Sequence, residues 1–206
     1  MNNLPMIVGI SGASGIVYGV RLLETLRRLG VETHLVMSKA AEITLAWETD
    51  FKIASVRALA SHWYGPDDLA APIASGSFRT RGMVVAPCSM KSLAEIATAA
   101  TSTLLTRAAD VILKERRRLV LMVRETPLHT VHLRNMVTVS ELGGIIAPPV
   151  PAFYAAPASL DDMVDHTVGR VLDLFDLDAG LARRWREGEK ETARGTIRVI
   201  RGGAED

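Results

Sequence analysis

Short apolar runs alternate with segments of helical period along most of the chain, and this alternation most narrows the fold. Met6–Ile10, Thr33–Met37, 83–86 and 119–123 read as strands, with a further short one at Ile145–Ile146. Helical segments over 16–29, 39–47, 104–115, 131–142 and 160–175 separate or follow them. Continuous apolar strands are those buried on both faces, and parallel strands need a crossover between them. The pattern therefore predicts an α/β, Rossmann-like three-layer fold with a mostly parallel sheet in a single domain. The stretch 48–81 is less regular and predicts a short helix near 53–62 and a loop at Ser75-Gly76-Ser77. In the 160–175 helix, Leu160, Val164, Val168, Val171 and Phe175 form one apolar stripe. A length of 206 residues suits one domain, here 1–187, followed by a charged and flexible tail over 188–206.

The near balance of 24 Lys+Arg against 23 Asp+Glu argues against a protein held on nucleic acid by bulk charge. The single cysteine, Cys88, excludes an intrachain disulfide and any cysteine-built zinc site. The five histidines show no convincing metal-ligand spacing, and His129 and His132 read as capping or packing residues. Met1 to Pro5 lack the features of a signal peptide, and no stretch reads as a membrane span. A soluble, cytoplasmic protein is the expectation.

Ligands of open α/β sheets sit beyond the carboxyl ends of the strands. Here those ends carry Ser11-Gly12-Ala13-Ser14-Gly15, Ser38, Ser89 and the pair Arg124-Glu125. The first turn would let backbone N–H groups approach a phosphate at a helix start, or would simply need glycine for a tight turn. It is neither a P-loop nor the dinucleotide fingerprint. Pro87-Cys88-Ser89-Met90-Lys91-Ser92 repeats the arrangement, with serines that read singly as helix caps. Together the two turns point to an extended, phosphate-bearing ligand. Arg107, Asp110 and Lys114 share one helix flank, with an Asp110–Lys114 pair as the plain reading. Arg170 sits at the margin of its apolar stripe, suited either to a pocket edge or to the surface. Glu125 is either a tuned acid/base or a carboxylate compensated by Arg124.

Gly9-Ile-Ser-Gly-Ala-Ser-Gly15, Ser38-Lys39-Ala40-Ala41, Glu48-Thr49-Asp50 and Pro87-Cys88-Ser89 together resemble the flavin prenyltransferases of the UbiX type. So do Arg107-Ala-Ala-Asp110, Lys114-Glu-Arg-Arg117, Arg124-Glu-Thr-Pro127 and Pro151-Ala-Phe-Tyr154, in the family's order, between about Met6 and Trp185. Two departures are Arg118, where the family commonly has proline, and Ala155, where it often has histidine. The resemblance implies a flavoprotein that joins reduced FMN and dimethylallyl monophosphate at N5 and C6 without a metal. The product, prenylated FMN, would serve a UbiD-type decarboxylase, in ubiquinone biosynthesis or in phenolic acid metabolism. It further implies that Gly12, Ala13, Ser14, Ser38, Ser89, Met90, Lys91, Ser92 and Arg124 contact FMN. Lys114, Glu125, Tyr154 and Arg170 would surround the prenyl phosphate, with Arg107 and Glu48 near the site. Glu125, assisted by Ser14, is the expected proton shuttle, and Trp185 would face the allyl cation. The implied assembly is a homo-oligomer, a dodecamer. Rival readings are a flavin-dependent cysteine decarboxylase, whose catalytic histidine near the first helix has no counterpart before His34, and a non-catalytic flavin carrier.

Overall fold

The computed structural model describes residues 4–185. The elements run β1 (Met6–Ile10), α1 (Ile16–Arg28), β2 (Thr33–Met37), α2 (Lys39–Glu48), α3 (Ile53–Arg57), β3 (His62–Tyr64), β4 (Gly82–Cys88) and α4 (Met90–Ala97). They continue with α5 (Leu104–Lys114), β5 (Arg118–Val123), α6 (Thr130–Glu141), β6 (Ile145–Ile146) and α7 (Leu160–Asp173). All neighbouring strands pair in parallel, in the order β3-β2-β1-β4-β5-β6. This is the doubly wound order expected of a Rossmann-like sheet, and the chain reverses direction across it between β1 and β4.

Period-two alternation sends Met6, Val8 and Ile10 of β1 into a layer with α1, α2, α3 and α7. Ile7 faces the other way, into a layer with α4, α5 and α6. Both faces are covered, which is why the strands read as unbroken apolar runs. Among the described residues no helix is long and apolar enough to cross a membrane.

Three expectations are corrected. Residues 53–62 do not form one helix: α3 stops at Arg57, and His62 begins an edge strand that pairs with His34, Leu35 and Val36 of β2. Leu160 leaves the apolar stripe and is 79% exposed, because it occupies the first turn of α7, while Val164, Val168, Val171 and Phe175 are buried. Asp110 does not pair with Lys114 but with Arg107 at 2.9 Å, and Lys114 turns instead to Glu115 at 2.6 Å. The segment 188–206 lies outside the described residues.

Candidate functional site

The crevice where β1 and β4 part is organised by one buried hydroxyl. Pro87 has no N–H to give β5, and the register shifts there, between Val85 and Cys88. Its carbonyl is left to Ser11, accepting from the Ser11 N–H at 3.2 Å and from the hydroxyl at 2.8 Å. The same Ser11 hydroxyl accepts from the Ser89 N–H at 2.7 Å. The end of β1 is thus tied to the residue that starts α4. Ser89 caps α4, accepting from the Ser92 N–H at 3.3 Å, and Ser38 caps α2, accepting from the Ala41 N–H at 3.1 Å. Met90 and Lys91 follow in α4's first turn, whose N–H groups have no partner within the helix. Lys91 itself is exposed and leans 3.7 Å from Glu95, whereas Ser92 is buried. The Arg124 N–H donates to the Cys88 carbonyl at 3.1 Å, which restores pairing past the bulge and sets Arg124 at the rim.

Gly12 and Gly15 are required by the backbone. A Cβ at Gly12 would lie 2.4 Å from that of Ala40, so Gly12-Ala13 packs directly on the start of α2. Gly15 has φ +96°, a left-handed conformation in which it precedes α1. The start of α1 is not open to a phosphate, which corrects one expectation for this turn. Glu48, at the far end of α2, reaches back and accepts from the N–H groups of Gly15 at 2.8 Å and Ile16 at 3.1 Å. Burial raises the Glu48 pKa, but hydrogen bonds from the Ser14 hydroxyl and the two N–H groups, with the nearby Arg124 charge, outweigh it. The net shift is downward, so Glu48 is an ionised carboxylate in the crevice. Arg124 therefore acts on Glu48 across the site. Glu125 is exposed beyond it and accepts from the Thr126 N–H at 3.0 Å.

Tyr154, Arg170 and Trp185 form a second cluster beside α7. Tyr154 and Arg170 line a cavity of about 290 Å³ with Pro148, Val150 and Thr167. The Tyr154 ring meets that of Trp185 edge-on, with centroids 5.2 Å apart. Arg170 is oriented by Asp173 at 2.6 Å, which also holds Arg184 at 3.3 Å. His166, missed in the sequence, is buried between this cluster and the chain beyond α7. Its Nε2 lies 3.4 Å from the Tyr154 hydroxyl and 3.2 Å from the Arg183 carbonyl. Its position one helical turn before Arg170 was the available signal.

Arg107 and Lys114 are elsewhere again. Arg107 donates to the Ala74 carbonyl at 3.2 Å near the start of α5. Lys114 ends α5, just before β5 begins, while Arg124 lies just past the end of that strand. About 20 Å, the length of a six-residue strand, separates those two levels. One chain therefore brings together Ser14, Ser38, Glu48, Ser89 and Arg124, but not these with Lys114.

The chain matches the Flavoprotein family over residues 1–172. It is 59% identical to flavin prenyltransferase UbiX of Escherichia coli (strain K12) over 184 residues, covering 88% of this chain and 97% of that protein. A crystal structure of AnUbiX (PadA1) in complex with FMN and dimethylallyl pyrophosphate superposes with a TM-score of 0.88 at 54% identity, covering 90% of this chain and 99% of that one. A dodecameric FMN-dependent UbiX-like decarboxylase from Escherichia coli O157:H7 gives 0.87 at 52% identity, covering 89% and 100%. On its strand-end crevice, its sheet order and this similarity along nearly its full length, the chain belongs to the flavoprotein family, among the flavin prenyltransferases of the UbiX type.

Proposed function

We propose that this chain is a transferase that joins the dimethylallyl group of dimethylallyl monophosphate to N5 and C6 of reduced FMN, making prenylated FMN. The observation that carries this reading is the crevice between β1 and β4. There an ionised Glu48, hydrogen-bonded to Ser14, lies near the Arg124 charge, and Ser11 ties the end of β1 to the start of α4. That donor set fits a flavin bearing a phosphate, with the anion at the amino end of α4 beside Arg124. Gly12, Ala13 and Ser38 supply the adjoining wall. The reduced flavin supplies the nucleophilic positions.

The chain's own residues supply the rest. A Ser14 hydroxyl that donates to Glu48 turns its lone pairs outward, ready to accept a proton-bearing donor on the ligand. Glu48 is the base behind it, and Glu125, exposed at the rim, carries protons to and from solvent. Lys114, Arg170 and Tyr154 hold the departing phosphate by preorganised charge and hydrogen bonding, with Arg107 beside them. Trp185 faces the cationic allyl group, at about 0.5–2 kcal/mol per cation–π contact.

Because the length of β5 keeps Lys114 from the Glu48 crevice on one chain, the working site is assembled from neighbouring copies. A dodecameric relative supports a dodecamer here. So do large apolar side chains left to solvent in the single chain, such as Trp47 at 86% and Phe153 at 75% exposure. The product would pass to a UbiD-type decarboxylase in the cytoplasm, with ubiquinone biosynthesis as one setting. Anaerobic incubation with reduced FMN and dimethylallyl monophosphate should raise the flavin mass by one prenyl unit. An unchanged mass refutes the proposal.

A further inference from the structure

The amino ends of β2 and β3 lie at the opposite edge of the sheet from the crevice. Glu32 and His34 are two residues apart and so share a face of the extended chain. The parallel register sets His62 of β3 directly opposite His34. One Glu32 carboxylate oxygen, Oε1, lies 3.1 Å from His34 Nε2 and 3.4 Å from His62 Nε2. Among the described residues this is the one place where three such ligand atoms gather, all within 4.8 Å of one another.

Those spacings suit a metal ion. Nitrogen and oxygen ligands held about 2.0–2.1 Å from a tetrahedral zinc ion stand about 3.4 Å from each other. The ring orientations suit it as well. His34 Nδ1 lies 2.8 Å from the Tyr64 hydroxyl, a partner that can take the Nδ1–H and leave the Nε2 lone pair free to coordinate. His34 is buried, with its ring 4.7 Å from that of His62 and 4.8 Å from that of Phe78, so its aim is set by packing. His62 is half exposed at the sheet edge, which gives an ion a way in from solvent.

We propose that Glu32, His34 and His62 form a site for a divalent first-row transition ion, zinc above all, with its fourth position open to water. Two imidazoles and a carboxylate are a ligand set zinc takes readily, whereas magnesium and calcium prefer oxygen. Without the ion, the Nε2–H tautomers of His34 and His62 can donate to the same carboxylate. When the metal takes each Nε2 lone pair, the neutral ring carries its one proton on Nδ1 instead, which on His34 donates to the Tyr64 hydroxyl, and any second proton passes to solvent. Its role is to clamp β3, a three-residue edge strand, to β2 by closing the chain between His34 and His62. The site is remote from the crevice and does not rest on the flavin reading.

The test is titration of the full chain, stripped of metal by a chelator, with Co²⁺ followed by displacement with Zn²⁺. One Co²⁺ per chain should bind with the visible absorption of a four-coordinate site, and Zn²⁺ should abolish that band. His62→Ala and Glu32→Gln, both at exposed side chains, should each weaken Zn²⁺ binding at least tenfold. His129→Ala, which breaks the other close histidine pair, with rings 3.5 Å apart, should leave it unchanged. Zn²⁺ binding that is absent in the wild type, equal in His62→Ala, or lost in His129→Ala overturns the proposal.

Discussion

Replacing Ser11 by alanine isolates the contact on which the crevice depends. The side chain is 1% exposed, and its hydroxyl both donates to the Pro87 carbonyl at 2.8 Å and accepts from the Ser89 N–H at 2.7 Å. The substitution removes one oxygen and opens almost no cavity, so the loss is one of hydrogen bonding. The Pro87 carbonyl keeps the Ser11 N–H at 3.2 Å, and its share of the cost is small. The Ser89 N–H loses the bond made by Ser11. An unsatisfied donor in a partly buried place costs about 1–3 kcal/mol, and a bond merely lost about 0.5–1.5 kcal/mol. Ser11→Ala should therefore destabilise by about 2–3 kcal/mol. Urea denaturation at fixed protein concentration reads this as a lower midpoint with an unchanged slope. Because the start of α4 is released, FMN affinity should fall as well. Ser89→Ala, which removes the helix cap and a hydrogen bond to the Ser92 hydroxyl at 3.2 Å, should cost about 1 kcal/mol. A Ser11→Ala protein within about 0.5 kcal/mol of wild type, the range of an ordinary surface change, would refute the staple.

The Glu48 carboxyl is held below its ordinary range, so its contribution to stability is present above the unfolded pKa of about 4.3. It is lost as pH falls through the lower folded value. The stability gap between wild type and Glu48→Gln should stay level from neutrality to about pH 5 and close below about pH 4; a gap that widens in acid contradicts the assignment. Cys88 is fully buried, its thiol pushed up to about 12, and native protein at pH 8 should resist iodoacetamide until urea exposes it. Rapid labelling of the native protein would show that β4 does not seal it. Arg124→Ala and Arg170→Ala should each abolish prenyl transfer, but co-expressed as mixed oligomers they should regain part of it. Mixed oligomers as inactive as their parents would place both residues in a site made by one chain.

Much of the fold could be read in the residues because local burial and crossover packing ask for the same thing. β1 and β2 have the bounds their apolar runs suggest, and Gly30, with φ +68°, ends the first helical segment as expected. β3 could not be read: His62-Trp63-Tyr64 is too short for a period and becomes a strand only because β2 offers an open edge. The strand-end polar set was legible, since topology alone collects Ser11, Ser38, Ser89 and Arg124 at one edge. That Glu48 closes the start of α1 was not, because the contact joins the end of one helix to the start of another across 33 residues. The same holds for Glu32, His34 and His62, whose spacing along the chain has no metal signature until the sheet sets it. Tyr154, Arg170 and Lys114 were found by resemblance, and on one chain the length of β5 keeps Lys114 from Arg124.

Phosphate release from dimethylallyl monophosphate, measured anaerobically with and without reduced FMN, separates prenyl transfer to the flavin from simple hydrolysis. Release is expected only when reduced FMN is present, in equal amount to the flavin that is prenylated. Release without flavin would mark a phosphatase, and no release with reduced FMN present would contradict prenyl transfer.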